Sequence, residues 1–250
     1  MRTLGASHAG RVRPSNQDAF ICGTLTEHAA FAVVCDGMGG ANGGNIASTI
    51  AVRVIANHLL EEYRDSADIQ TVRALLAESV HKANDEVFRN AMDDFDLKGM
   101  GTTAVIAVVT DAQAYIAHVG DSRAYLVTRR TIEQVTEDHS VVQEMVHQGK
   151  ITADQARYHP QKHFLTRAIG VESDTECAFT ALPMPQDGTL LLCTDGLTNL
   201  VEPDTLQSLV RTFPFEEIPN KLINTANLAG GSDNITVVAV THDEEAGGKH

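Results

Sequence analysis

Apolar residues at Ile46, Ala47, Ile50, Ala51, Val54, Ile55 and Leu59 follow the i, i+3, i+4 spacing of an amphipathic helix and predict one over 44–63. A second stripe, Ile69, Val72, Leu76, Val80, Ala83, Val87 and Ala91, follows Asp68, a residue suited to an N-cap. It stops before the acidic, glycine-containing loop 93–101. There the period changes. Short runs rich in β-branched residues at 103–109, 114–119, 124–127 and 132–135 are separated by turn residues and predict an antiparallel meander, one face of its sheet covered by the two helices. Residues 137–174 are richer in His, Gln and charged groups, with short helical stretches at 141–147 and 153–158, and read as an inserted flap. Strands return at 176–182 and 190–194, helices at 204–212 and 216–228, and a last strand at 235–241. No repeat, low-complexity tract or linker divides the chain, so the expectation is one domain over 1–242 with a flap subdomain and a mobile tail at 243–250.

Four aspartates, Asp18, Asp36, Asp195 and Asp233, stand at the edges of these strand-like runs. Two share one grammar. Phe31-Ala32-Val33-Val34-Cys35 runs into Asp36-Gly37, and Leu190-Leu191-Leu192-Cys193-Thr194 runs into Asp195-Gly196, each reading as a buried strand that delivers a carboxylate at its end. An isolated Asp-Gly is most often a tight turn. Neither pair here leads into a matching strand two residues later, which weakens the hairpin reading at both. Carboxylates gathered from separate strand ends suit hard divalent cations, which take oxygen ligands.

Composition narrows the classes. The chain has 250 residues, 43% of them hydrophobic, and a formal net charge of −14, which disfavours a nucleic-acid surface. Divalent ions bound among the aspartates would offset part of that charge and stabilise the fold. No apolar run reaches the roughly 20 residues of a membrane span, and the amino terminus lacks a signal-peptide core, so the expectation is a cytoplasmic protein without membrane partners. Cys22, Cys35, Cys177 and Cys193 lie singly in apolar stretches and read as buried free thiols.

In order, Arg13-Pro14-Ser15-Asn16-Gln17-Asp18, Asp36-Gly37-Met38-Gly39-Gly40, Gly101-Thr102-Thr103, Gly120-Asp121-Ser122-Arg123, Asp195-Gly196 and Ser232-Asp233-Asn234 resemble the motif series of metal-dependent protein phosphatases of the 2C type. The resemblance spans about Gly5 to Val240 and is to the bacterial stand-alone serine/threonine phosphatases. It implies an α+β fold, an αββα sandwich of two antiparallel sheets flanked by helix pairs. It implies two Mn²⁺ or Mg²⁺ ions between the sheets, with Asp36 bridging, Asp18, Asp195 and Asp233 as further ligands, and the Gly37 carbonyl as a backbone ligand. The implied reaction is hydrolysis of phosphoserine and phosphothreonine monoesters by a metal-bridging water, with Arg13, Asp36 and Asp195 as the catalytic residues and Arg13 on the phosphate. Phosphorylated proteins are the implied partners, with a cognate serine/threonine kinase in opposition.

Two positions depart from the pattern. Asp121 can hold a weaker third metal in the family, where its usual partner is an acidic residue four positions after the second Asp-Gly aspartate; here that position is Asn199. Some relatives carry a histidine after the first Asp-Gly, suited to protonating the leaving oxygen, and here it is Met38. A metal-bound water and His139 are the alternative proton donors. Asn16 reads as a brace for its loop, and 137–174, with His163, Arg167 and Gly149-Lys150, as the place for substrate selection. Two rival readings stand beside this one. A nucleotide-binding enzyme fits a glycine-rich segment between strand and helix, but Gly37-Met38-Gly39-Gly40-Ala41-Asn42 lacks the final glycine of Gly-x-Gly-x-x-Gly. A non-catalytic phosphoprotein-binding module would be expected to lose carboxylates that repel one another without metal.

Overall fold

Along the strand Ala29–Met38, residues Ala29, Phe31, Val33 and Cys35 point into one apolar cluster and Ala30, Ala32 and Val34 into another. A strand buried on both faces belongs to the middle of a layered fold. The computed structural model describes residues 1–39 and 43–243. In chain order the elements are β1 (Arg2–His8), β2 (Asp18–Thr26), β3 (Ala29–Met38), α1 (Gly43–Glu62), α2 (Ile69–Asp93), β4 (Gly101–Thr102), β5 (Ala104–Thr110), β6 (Gln113–Val119), β7 (Arg123–Val127) and β8 (Ile132–Gln134). Then come α3 (Val141–His147), α4 (Ala153–Arg157), β9 (Ala178–Pro183), β10 (Thr189–Cys193), α5 (Asp195–Thr198), α6 (Pro203–Thr212), α7 (Ile218–Leu228) and β11 (Ile235–Thr241).

Two antiparallel sheets face each other, one ordered β1-β11-β10-β7-β8 and the other β2-β3-β5-β6-β9, with β4 paired to β3. The inter-sheet core holds Ala32, Val34, Val105, Ala107, Leu190, Leu192, Val238 and Val240. Helices α1 and α2 cover the outer face of the second sheet, and α6 and α7 that of the first. This is the expected α+β sandwich, with the Asp68 side chain capping α2 through the Thr71 N–H at 2.8 Å.

The expected four-strand meander is a correction. β5 and β6 lie in one sheet, whereas β7 and β8 lie in the other, and the chain changes layer at Gly120, which has a φ of 99°. Strand periodicity predicts pleating but not which sheet a strand joins. Strand β1, too, has no counterpart among the expected strands. Its small residues make a weak strand signal, and Gly5 is required because a Cβ there would lie 2.3 Å from the Phe20 ring. Residues 137–174 contain α3 and α4; the bridge Ser140↔Leu165 closes the segment on itself, and Thr102↔Ile169 joins it to the body. Of the tail, Asp243 is ion-paired to the Met1 amino group at 2.6 Å, and 244–250 lie outside the described residues, as do 40–42 of the glycine-rich segment. Among the described residues no helix is long and apolar enough to cross a membrane.

Candidate metal and active site

The two-residue period of the strands decides where the carboxylates go. On β2, Ala19 and Ile21 face the helices and Phe20 and Cys22 the other sheet, so Asp18 continues the inter-sheet face. Asp36 continues the inter-sheet series Ala30, Ala32, Val34 on β3 and stands directly across from Asp18 in the register. Opposite them, Thr194 follows Leu190 and Leu192, and Thr236 precedes Val238 and Val240, on the same phase of β10 and β11. The apolar core thus ends in a polar floor at one edge of the sandwich.

Asp36 is not at a strand end, as the sequence suggested, but within β3. Its backbone is fixed from both sides: Thr103 N–H and the Thr102 hydroxyl both donate to its carbonyl at 2.9 Å, and its N–H donates to Thr103 Oγ1 at 2.9 Å. Thr103 Oγ1 also lies 2.7 Å from Ser122 Oγ, which ties this strand to the turn carrying Asp121. Asp195 is the first residue of α5, and its Oδ2 accepts from Asn199 Nδ2 at 2.9 Å. Asp233 accepts from the Asn234 N–H at 2.9 Å and from Arg13 Nη2 at 2.8 Å.

Neither Asp-Gly glycine serves a hairpin. A Cβ on Gly37 would lie 2.0 Å from the Gly44 carbonyl oxygen, and one on Gly196 would lie 1.9 Å from that of Asn234. Each glycine lets a second backbone segment approach the chain directly beside an aspartate. Asn234 closes the same corner: its amide donates to the Ala9 and Ser15 carbonyls and its Oδ1 accepts from the Gln17 N–H at 2.8 Å, holding the loop that bears Arg13. Asn16, expected to brace that loop, donates to Ser7 Oγ at 2.7 Å, and Ser7 meets Thr236 Oγ1 at 2.7 Å.

A cavity of about 530 Å³ is lined by Arg13, Asp36, Gly37, Asp121, Asp195 and Asp233 among others, with Asp18 beneath it. Asp18 is 8% exposed. Its Oδ2 accepts from Thr236 Oγ1 at 2.7 Å and Thr194 Oγ1 at 3.0 Å, while its Oδ1 is buried with no hydrogen-bond partner among the described residues. Burial and the charges of Asp195 and Asp233 push its pKa up to about 7, against the opposing pull of the two threonine hydroxyls. Burial, then Asp18 and Asp195, drives Asp36 well above the ordinary carboxylate range, and burial with Asp195 and Asp138 takes Asp121 to about 8. Asp195 is raised as well, by burial and Asp233. Arg13 is raised in turn by its hydrogen bond to Asp233.

So many clustered carboxylates, one with an unpartnered buried oxygen, fit a site that receives positive charge. The donor set is all oxygen, which suits Mg²⁺ or Mn²⁺. Among the described residues no three acidic, imidazole or thiol side chains close into a tight cage. They ring an open cavity instead, a spacing suited to ions that keep part of their water.

The remaining candidates separate. Met38 and His163 line the cavity, and His163 Nδ1 is 4.0 Å from Asp195 Oδ2. His139 does not line it. Its ring stacks on His118 with centroids 4.6 Å apart, its Nδ1 accepts from the Gly120 N–H at 3.2 Å, and burial with His118 holds its pKa down to about 4. A neutral imidazole so placed supports the Gly120 turn and is a poor proton donor. Asn199 Oδ1 accepts from Lys162 Nζ at 3.2 Å, bringing a cation from the flap next to Asp195. Sequence reading passed over Thr194, Thr236, Ser122 and the bracing amide of Asn234, because each is defined by a partner on a different element.

The sequence profile described as Protein phosphatase 2C matches residues 4–232. The serine/threonine phosphatase stp of Listeria monocytogenes is 37% identical over 235 residues, covering 94% of this chain and 93% of that protein. The crystal structure of serine/threonine phosphatase Stp1 from Staphylococcus aureus superposes with a TM-score of 0.90 at 29% identity, covering 97% of this chain and 95% of that one. The catalytic domain of a serine/threonine protein phosphatase PstP in complex with two manganese ions gives a TM-score of 0.82 at 28% identity, covering 95% of this chain and 96% of that one.

Proposed function

Because the chain belongs to the protein phosphatase 2C family and is a serine/threonine protein phosphatase, we propose that its catalytic centre is the carboxylate cavity between the two sheets, loaded with Mn²⁺ or Mg²⁺. The observation that carries this reading is the facing pair Asp18 and Asp36, with Asp18 buried, Asp36 half-buried at the cavity, and one Asp18 oxygen left without a partner among the described residues. Asp36 would serve two ions, Asp18, Asp195, Asp233 and the Gly37 carbonyl would complete their protein ligands, and Asp121 would hold a weaker third. When bound, the ions supply the Lewis acidity that makes a water nucleophilic near neutral pH and that neutralises charge on the phosphoryl oxygens.

The chain's own residues do the rest. Arg13 stands at the cavity wall with its side chain 54% exposed, able to leave Asp233 and bind two non-bridging phosphate oxygens as their charge rises. The threonine hydroxyls on Asp18 and the clamped backbone of Asp36 hold the carboxylates in place, so that little reorganisation accompanies the reaction. Direct attack by water is favoured over a protein nucleophile by the lining. Among the described residues it contains no cysteine or lysine, and the Thr103 hydroxyl is committed to Asp36 and Ser122, which leaves Ser15 and His163 as the side chains other than carboxylates able to attack phosphorus. The nearby thiol of Cys35 is buried on the helix side, and burial pushes its pKa far up, which leaves it inert.

Its substrates are phosphorylated proteins, and a serine/threonine kinase that produces them is the natural counterpart. The deciding experiment is hydrolysis of a phosphothreonine peptide by chelator-stripped protein with and without Mn²⁺, alongside Asp195→Asn. Turnover that appears only with metal and is lost in the variant supports the reading; turnover in chelator, or none under any metal, refutes it.

A further inference from the structure

Two grooves share lining residues with the carboxylate cavity, and the flap contributes to both. The first, about 570 Å³, shares Asp121, His163 and Asp195 with the cavity, and much of its charge is already paired: Arg157 makes two hydrogen bonds to Glu202 and Arg123 two to Asp138. The second, about 580 Å³, shares Met38, His163 and Leu165 with the cavity and has a different character. Phe164 and Val171 present apolar surface along it, 57% and 47% exposed. Glu172, Asp174 and Glu176 line it against the single guanidinium of Arg167. Asp174 comes within 3.7 Å of His81, and among the described residues none of the three is ion-paired with a lysine or arginine. The floor of this groove is fixed. Asn84 of α2, fully buried, donates to the Glu172 carbonyl at 3.0 Å and accepts from the Gly170 N–H at 2.8 Å.

We propose that this second groove receives the polypeptide flanking the phosphorylated residue, and that it selects substrates carrying lysine or arginine within a few residues of the phosphate. The inference rests on the phosphatase reading of the cavity. A chain lying across Met38 and Leu165 would enter the cavity with its phosphorylated side chain while the neighbouring residues run over Phe164 and Val171. A basic side chain there meets carboxylates that have no lysine or arginine partner, so the approach is favourable in charge as well as in apolar contact. Four extended residues reach about 13 Å, enough for a basic residue on either side of the phosphate to use the groove.

The test is kcat/KM on phosphothreonine peptides that differ only by Arg, Ala or Glu at positions within about four residues of the phosphate, with p-nitrophenyl phosphate measured in parallel. The expected result is a preference for Arg over Glu on the order of tenfold, carried mainly by KM and shrinking as salt is raised. In a Glu172→Lys/Glu176→Lys variant the preference should reverse. In Glu172→Gln/Glu176→Gln, a milder change that protects against a folding artefact, it should vanish, with p-nitrophenyl phosphate hydrolysis unchanged in both. Equal kcat/KM across the peptides, or a preference that survives both variants, overturns the groove assignment while leaving the phosphatase intact. Loss of hydrolysis on every substrate in the wild-type protein would instead refute the reading on which it rests.

Discussion

Asp18 and Asp36 are register partners on the antiparallel pair β2–β3, two acidic side chains facing the same inter-sheet space. Like charges directly opposed on a sheet destabilise it, and burial magnifies the cost. The chain offsets only part of this, through the Thr194 and Thr236 hydroxyls on one oxygen of Asp18. The relationship makes sense as a site whose remaining stabilisation is supplied by bound cations, and that has measurable consequences.

Without metal, the folded protein holds protons on Asp18 at about 7 and on Asp121 at about 8, above the ordinary carboxylate value of 3.8. A carboxylate raised on folding contributes stability that is complete below the unfolded pKa and lost as pH climbs through the folded one. The Tm of chelator-stripped protein should therefore fall between about pH 6.5 and pH 8.5, above the range in which His139 acts in the opposite sense, and Mn²⁺ should raise it most at the alkaline end. A stripped protein whose Tm climbs over this range would contradict the assignment.

Asp18→Asn removes one charge of the facing pair. Metal-free protein should become more stable, by on the order of 5 °C in Tm at pH 8, while metal-dependent activity drops by about two orders of magnitude or more. Calorimetry and phosphopeptide turnover on the same preparation check both halves, and a variant that is less stable without metal would argue against the repulsion.

Gly196→Ala places a Cβ 1.9 Å from the Asn234 carbonyl oxygen. Relief requires moving the backbone next to Asp233, so a loss of about 3 kcal/mol in denaturant unfolding is expected, together with weaker metal binding. Wild-type stability in this variant would mean that the close approach is not a constraint.

His139 is depressed to about 4 by burial and by His118. A histidine lowered on folding contributes stability present above its unfolded pKa of about 6.5 and lost as pH falls toward 4. His139→Gln should blunt this acid sensitivity of Tm and leave the pH–rate profile unshifted, with kcat within about threefold of wild type. A moved acidic limb would return His139 to the catalytic group.

Asn199→Asp turns the amide beside Asp195 into a second carboxylate, with Lys162 the only counter-charge hydrogen-bonded there among the described residues. Calorimetric titration with Mn²⁺ should reveal an additional ion bound roughly tenfold more tightly than in the parent. Superimposable titration curves for the two proteins would dismiss Asp121 and residue 199 as partners in a third site.

Much of this was legible in the sequence. Helical stripes in α1 and α2, the Asp68 cap, and the apolar runs ending near Asp36 and Asp195 are local signals, carried by side-chain period and by propensity over a few residues. The same period, once the strands are paired, accounts for why Asp18 and Asp36 share the inter-sheet face. What only the tertiary structure decided is which strands are neighbours. It parted β6 from β7 at Gly120, put β1 beside β11, and brought Thr194 and Thr236 to Asp18 across separations of 176 and 218 residues. It also showed Gly37 and Gly196 to be points of backbone approach, and set His139 against His118 rather than in the cavity. Local patterns fix the pleat and the face of each strand because steric preferences act within a few residues. Partners and register come from packing both faces of two sheets at once, a condition no single segment contains.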